Sequence, residues 1–188
     1  MEASVRPYIV INNYWNASKV AAARREIHML MHECQSKGKG GERLIHGASR
    51  IARRQPKKYP LTLAFARDRV YLRAAEEYLQ LKAVTVDTLA SMAVPMSVPS
   101  GSWHKDDTKR GFKALMYLDD VTLSNGPFAM LLDYDDSALT PMPGSWRLRF
   151  SDDAVQNSTG HGARIKQFTA GAGTVILFET SSIHRDMF

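Results

Sequence analysis

The chain has 188 residues and a mass of 21.1 kDa, enough for one domain with a substantial core and too little for two of ordinary size. Hydrophobic residues make up 44% and charged residues 23%, with 12 Gly and 8 Pro, which excludes collagen-like, low-complexity and wholly disordered chains. The net charge of +6 is uneven: residues 1–81 carry 15 Lys and Arg against 7 Asp and Glu, and residues 82–188 carry 10 against 12.

A basic half suits nucleic acid, because Lys and Arg neutralise phosphates. A solvated face that steers an anionic small molecule requires less, and it is the expectation here. No apolar run approaches the roughly 18 residues of a membrane span, and MEASVRPYIVINNYW reads as a strand rather than a signal. An intracellular, cytoplasmic protein is expected. The single cysteine, Cys34, excludes an internal disulfide and a zinc ribbon. Asn16-Ala-Ser18 and Asn157-Ser-Thr159 are then accidental glycosylation sequons.

In chain order, Pro7–Ile11 reads as a short strand and Asn16–Ser36 as a helix with Asn16 as its N-cap. Its apolar stripe is Val20, Ile27, Leu30, Met31 and Cys34. His28 and His32 share a helix face, but no HExxH pattern or carboxylate completes a metal site, so helix-surface histidines are expected. Lys37–Pro60 is basic and punctuated by Gly and Pro, a loop around a short helix that could act as a lid; its Gly-Lys-Gly-Gly lacks a phosphate loop's Gly-Lys-Ser/Thr ending. The spacing of Val70, Ala74, Tyr78 and Leu81 predicts a helix over 67–82.

Beyond Lys82 short β-prone runs take over, with strands predicted at 90–98, 102–108, 111–119, 127–132, 145–150, 163–169 and 174–180. The expected architecture is a single α+β domain over 1–188, with helical support in 1–82 and a mainly β core in 83–188.

Within Trp103-His104-Lys105-Asp106, His104 and Asp106 lie two apart on a predicted strand and project to the same face. A histidine and a carboxylate there need a third ligand to form the two-histidine, one-carboxylate triad that holds Fe(II) with open positions. His184, just after the apolar run Thr174-Val-Ile-Leu-Phe178, fits that role, whereas Asp107 points away.

WHKDDTKRGFKALMYLDDVTLSNGPF followed by GAGTVILFETSSIHR resembles the phytanoyl-CoA dioxygenase-like branch of the Fe(II)- and 2-oxoglutarate-dependent oxygenases, over roughly residues 90–188. The resemblance implies a double-stranded β-helix of the jelly-roll or cupin type, with His104, Asp106 and His184 as iron ligands. It implies Fe(II), with 2-oxoglutarate and O2 as co-substrates, and hydroxylation of a small-molecule substrate, for which the basic first half suits an anion. Asp106 argues against the halogenating relatives, which carry a small residue in its place.

The family's last strand bears an Arg about ten residues after the distal histidine, whereas this chain stops at Phe188. The resemblance therefore implies that this strand and its Arg are missing, through truncation or because another segment or chain fills the place. Lys113 is the expected substitute for the far carboxylate of 2-oxoglutarate, with Arg149, Arg164 and Arg185 dependent on strand register. A binding protein with impaired catalysis and a nucleic-acid-associated protein are the alternatives. Trp103, Phe112, Met116, Phe128 and Phe178 are expected in the β core, His161 and Asp133-Tyr-Asp-Asp136 in solvated loops, and His46 in the basic segment.

Overall fold

In a computed structural model, residues 7–36, 44–45, 48–50, 58–82, 89–91, 102–106, 111–144 and 148–186 are described. The basic residues 51–57, His46, Asp107 and most of the strand predicted at 90–98 lie outside them. Among the described residues, no helix is long and apolar enough to cross a membrane.

The elements run β1 (Tyr8–Ile11), α1 (Ala17–Ser36), β2 (Leu44–Ile45), β3 (Ala48–Arg50), α2 (Pro60–Ala66), α3 (Arg69–Leu79), β4 (Leu89–Ser91) and β5 (Trp103–His104). They continue with β6 (Phe112–Met116), β7 (Phe128–Leu132), a 3-10 turn (Asp136–Ala138), β8 (Arg149–Phe150), α4 (Asp152–Thr159), β9 (Arg164–Phe168), β10 (Val175–Glu179) and β11 (His184–Asp186). The fold is mainly β, in three antiparallel sheets ordered β1-β10-β6, β8-β5-β11-β7-β9 and β2-β3-β4.

The first two sheets share an apolar interior of Tyr117, Phe128, Met130, Leu132, Phe168, Ile176 and Phe178. Tyr117 stitches this interior together, its hydroxyl donating to Phe168 O and accepting from Phe128 N, both at 2.9 Å. Alternation sends Val175 and Leu177 of β10 to the opposite face, where they pack with Tyr71, Phe65 and Phe112 under the helices. Trp15, Val20 and Ala23 extend that layer against Leu61, Phe65 and Met116. The outer face of the five-stranded sheet is closed separately, by Val155 of α4 and Leu139 beside the 3-10 turn, over Trp103, Leu131, Phe150 and Ile183. Among the described residues β6 has a strand partner on one edge, β10.

Asn16 caps α1 as expected, its Oδ1 accepting from Lys19 N at 3.0 Å. Val20 and Leu30 are buried on that helix, joined by Ala23 and Glu26. Three expectations need correction. The helix predicted over 67–82 is α3, shortened to Arg69–Leu79 because Asp68 leaves helical geometry to cap it, accepting from Val70 N at 3.0 Å. Its packing face keeps Ala74 and Tyr78 of the predicted stripe and adds Tyr71 and Ala75, whereas Val70 and Leu81 are exposed. Residues 44–45 and 48–50, expected around a short helix, are strands paired through β3 to β4.

Helix α4 was not expected, yet it has a local cause. Ser151 Oγ accepts from Ala154 N at 3.1 Å, and Asp152 and Asp153 place negative charge in its first turn.

Buried Glu26 ties α1 to α2 by accepting from the otherwise unsatisfied amides of Leu61 and Thr62, at 2.9 and 2.7 Å, and from Thr62 Oγ1 at 2.5 Å. Glu26→Ala is expected to cost about 2 kcal/mol and to lower the melting temperature by about 4–8 °C. Glu26→Gln, which keeps an acceptor, should lose less; thermal denaturation followed by circular dichroism checks both.

Candidate metal centre

Strands β5 and β11 are antiparallel neighbours with His184 directly opposite His104. The two rings lie 4.5 Å apart between centroids, inclined by 50°. Asp106 follows two residues after His104 and is held by its own amide, which donates to Thr180 O at 3.1 Å. One ligand atom from each of His104, Asp106 and His184 lies within 4.8 Å of the others. Among the described residues this is the only group of three or more His, Cys, Asp or Glu side chains close enough to share an ion.

Both histidines are oriented by the same local device. His104 Nδ1 is 2.8 Å from Ser102 O and His184 Nδ1 is 2.8 Å from Ser182 O. A carbonyl oxygen only accepts, so each Nδ1 carries the proton and each Nε2 turns a lone pair inward in the neutral ring. Those lone pairs meet a carboxylate: His184 Nε2 lies 3.3 Å from Asp106 Oδ2, and His104 Nε2 lies 3.7 Å from Asp106 Oδ1. Acceptors facing acceptors at such distances call for a cation between them, either a proton or a metal ion. The donor set, two imidazole nitrogens and a carboxylate, fits a divalent first-row metal.

Burial raises the Asp106 carboxyl, but a hydrogen bond from His184 when its Nε2 carries the intervening proton, with the charge and hydrogen bond of Lys113, outweighs it and holds the group well below the usual carboxylate range. Lys113 reaches the centre from the facing sheet. It lies opposite Phe178 on β6, so alternation aims it inward, and its Nζ donates to Asp106 Oδ2. Phe178 and Phe128 wall the other side, with ring centroids 5.1 and 5.7 Å from that of His184.

The three arginines separate by register. Arg149 of β8 stands opposite His104, on the same face, and its Nη1 donates to Ser102 Oγ. Arg164 is exposed and tied to Asp133, with Nε at 2.7 Å and Nη2 at 2.6 Å from Oδ2. Arg185 neighbours His184 but faces outward, stacked over Trp103 with its Cζ 4.4 Å from the ring centroid. The acidic loop is divided among structural tasks, because Asp135 Oδ1 accepts from Ser137 and Asp136 binds Lys105. His28 and His32 are exposed on α1, and His161 is exposed in the turn after α4. Trp103, Phe128 and Phe178 are buried; Phe112 and Met116 pack, half-buried, beneath the helices.

Sequence reasoning missed the outward-facing residues of the ligand strand. Trp103 and Lys105 alternate with His104 and Asp106, and each is gripped by a carboxylate behind the sheet. Trp103 Nε1 donates to Asp152 Oδ1 at 3.1 Å, and the Lys105 ammonium donates to both oxygens of Asp136 at 2.6 and 2.7 Å. The legible signal was a lysine alternating with core positions, since a buried lysine requires a partner.

No protein-family model and no curated protein matches the sequence. Similarity appears at the level of solved structures. AviO1 from Streptomyces viridochromogenes Tue57 superposes with a TM-score of 0.61 at 13% identity, covering 96% of this chain and 81% of that one. HygX from Streptomyces hygroscopicus, solved with nickel and 2-oxoglutarate bound, gives 0.60 at 15% identity over 96% and 76%. The epimerase SnoN, solved with Fe3+, alpha ketoglutarate and nogalamycin RO, gives 0.59 at 13% over 96% and 72%. This chain shares their fold.

Two outcomes follow from the surroundings of the centre. Removing Asp136 leaves the Lys105 ammonium buried without this partner, whereas Lys105→Met removes charge and desolvation together, so Asp136→Ala should destabilise by about 1–3 kcal/mol and Lys105→Met by less. Paired urea denaturation curves check this order. Burial foremost, with Asp136 and Glu179 adding to it against the Ile183 amide, pushes the Tyr134 hydroxyl up to about 12. The native state then holds a proton that the unfolded chain loses near its ordinary value of 10. The Tyr134 contribution to stability should be full below pH 10 and lost as pH rises through about 12. Tyr134→Phe should flatten that decline in melting temperature.

Proposed function

We propose that this chain is an Fe(II)- and 2-oxoglutarate-dependent oxygenase, built on a double-stranded β-helix of the phytanoyl-CoA dioxygenase-like kind, that hydroxylates a small molecule. The observation that carries the proposal is the convergence of two Nδ1-anchored imidazoles and one carboxylate on a common point. The fold shared with HygX and SnoN, solved with a metal and 2-oxoglutarate or alpha ketoglutarate, supports it.

His104, His184 and Asp106 would hold the iron. When bound, iron and 2-oxoglutarate with O2 would supply oxidative decarboxylation to succinate and carbon dioxide, one oxygen atom of O2 entering succinate and the other a substrate C–H bond. The chain's own residues set the conditions. The backbone carbonyls of Ser102 and Ser182 keep each Nε2 unprotonated and aimed, which preserves ligand basicity. Phe128 and Phe178 exclude water beside His184. Lys113 balances the Asp106 carboxylate. With a dication held by the three side chains, the Lys113 ammonium would be available to the far carboxylate of 2-oxoglutarate as a point charge. The uneven net charge supports an anionic substrate, steered toward the site by the basic first half.

An anaerobic titration with Fe(II) and then 2-oxoglutarate tests the reading through the visible metal-to-ligand charge-transfer band. The band should form in the wild type and vanish in His184→Ala. Lys113→Met should bind iron at least as tightly as wild type, having lost a competitor for Asp106, while binding 2-oxoglutarate about tenfold more weakly. Iron binding with no band at any 2-oxoglutarate concentration would reject the co-substrate and leave a metal-binding protein.

A further inference from the structure

We propose that Asp152, on the face of the sheet away from the metal centre, is a positioning residue that fixes the relative placement of His104 and His184. The inference rests on the metal-centre reading above and concerns residues that make no contact with the ion.

The antiparallel register that sets His184 opposite His104 also sets Arg185 opposite Trp103, one step along each strand and on the outer face. The guanidinium lies over the indole at 4.4 Å. A single oxygen, Asp152 Oδ1, accepts from Trp103 Nε1 at 3.1 Å and from Arg185 Nη1. One carboxylate therefore grips the sequence neighbours of both histidines simultaneously. It does so from the first residue of α4, whose Ser151 cap and packed Val155 fix the helix against the sheet.

The link to the metal side is short. Each imidazole takes its orientation from a backbone carbonyl two residues earlier, Ser102 O for His104 and Ser182 O for His184. Trp103 lies between Ser102 and His104, so sliding β5 against β11 would shift one imidazole and its orienting carbonyl relative to the other. Trp103 is buried, with 1% of its surface exposed, and a displaced indole has no room to settle elsewhere. The stack and the bridge together oppose such a slide at the pair of residues next to the ligands. Asp153 provides an internal comparison, being exposed and in the same first helical turn without belonging to the bridge.

Co(II) titration of the metal-free protein tests this, with the ligand-field absorption of the bound ion as a readout of its geometry and thermal melting recorded in parallel. Asp152→Ala should weaken Co(II) binding about tenfold and alter the absorption bands. Asp152→Asn should fall between, because its amide oxygen still accepts from Trp103. Asp153→Asn should match wild type in affinity and spectrum, although it removes the same charge from the helix terminus. Should Asp152→Ala fail to fold, Arg185→Lys, which keeps the charge but loses the planar stack, should show the same weakening and altered bands. Asp152→Ala with wild-type affinity and bands, or a lowered melting temperature alone, overturns the positioning role. So does an effect reproduced by Asp153→Asn. A wild-type protein that takes up no Co(II) overturns the metal-centre reading itself, which separates the two failures.

Discussion

The antiparallel pairing of β5 with β11 is the constraint on which the centre depends. It brings His104 and His184 opposite one another despite their separation in sequence, and a slip of one residue would turn one of them to the other face. The register is held from several directions. β5 lies between β8 and β11, and β11 between β5 and β7. Backbone bonds continue past the short ladder, from Lys105 N to Leu148 O at 2.9 Å, Asp106 N to Thr180 O at 3.1 Å and Leu131 N to Ile183 O at 2.9 Å. The two strands are brief, but side chains on both faces make the pairing specific. Inward lie the ligands; outward, Trp103, Ile183 and Arg185 join a core closed by α4 and the 3-10 turn.

That two-sided arrangement has an electrostatic consequence. Two inward Nε2 lone pairs and a carboxylate are mutually unfavourable without a cation, and the Lys113 ammonium supplies part of what is needed from the opposite sheet. The site is therefore assembled around positive charge before any ion enters. A lysine suits this duty better than an arginine would, because a flexible stem with a compact charge can withdraw without breaking a bidentate fork. Its half-exposed side chain leaves solvent available to receive the ammonium when it moves.

The pairing of His104 with Asp106 was legible because strand alternation is a local rule, whereas His184, ending a later apolar strand, joined them only when the motifs around it were read together. Lys113 was legible as a position, and the register against Phe178 explains why it points inward. What escaped depended on contacts between distant segments. The helix α4 contributes few fully buried apolar side chains, so SDDAVQNST reads as a polar loop, and its capping Ser and first-turn acids were the available signal. The packing face of α3 was half legible, in Ala74 and Tyr78, since Tyr71 and Ala75 owe their burial to Phe65, Val175 and Leu177 rather than to helical periodicity alone. Strands β2 and β3 pair with each other and β4, contacts that local composition in a Gly-rich basic stretch does not encode.

The near-neutral second half also owes its balance to local pairing. Several cations near the β core are balanced by acids of the second half: Arg24 by Asp119, Lys105 by Asp136, Arg164 by Asp133 and Arg185 by Asp152. Two of these pairs, Lys105–Asp136 and Arg185–Asp152, brace the outer side of the ligand strands, and Arg24 also donates to the Leu118 carbonyl from α1. Exposed ion pairs contribute little to stability by Coulomb attraction alone. Their value here is geometric: Arg24, Asp136 and Asp152 each tie an element outside the sheets to a strand or loop, and Arg164–Asp133 fastens the end of β9 to the end of β7. Acidic residues of the second half thus support the centre from behind, while Asp106 faces inward to Lys113 and His184.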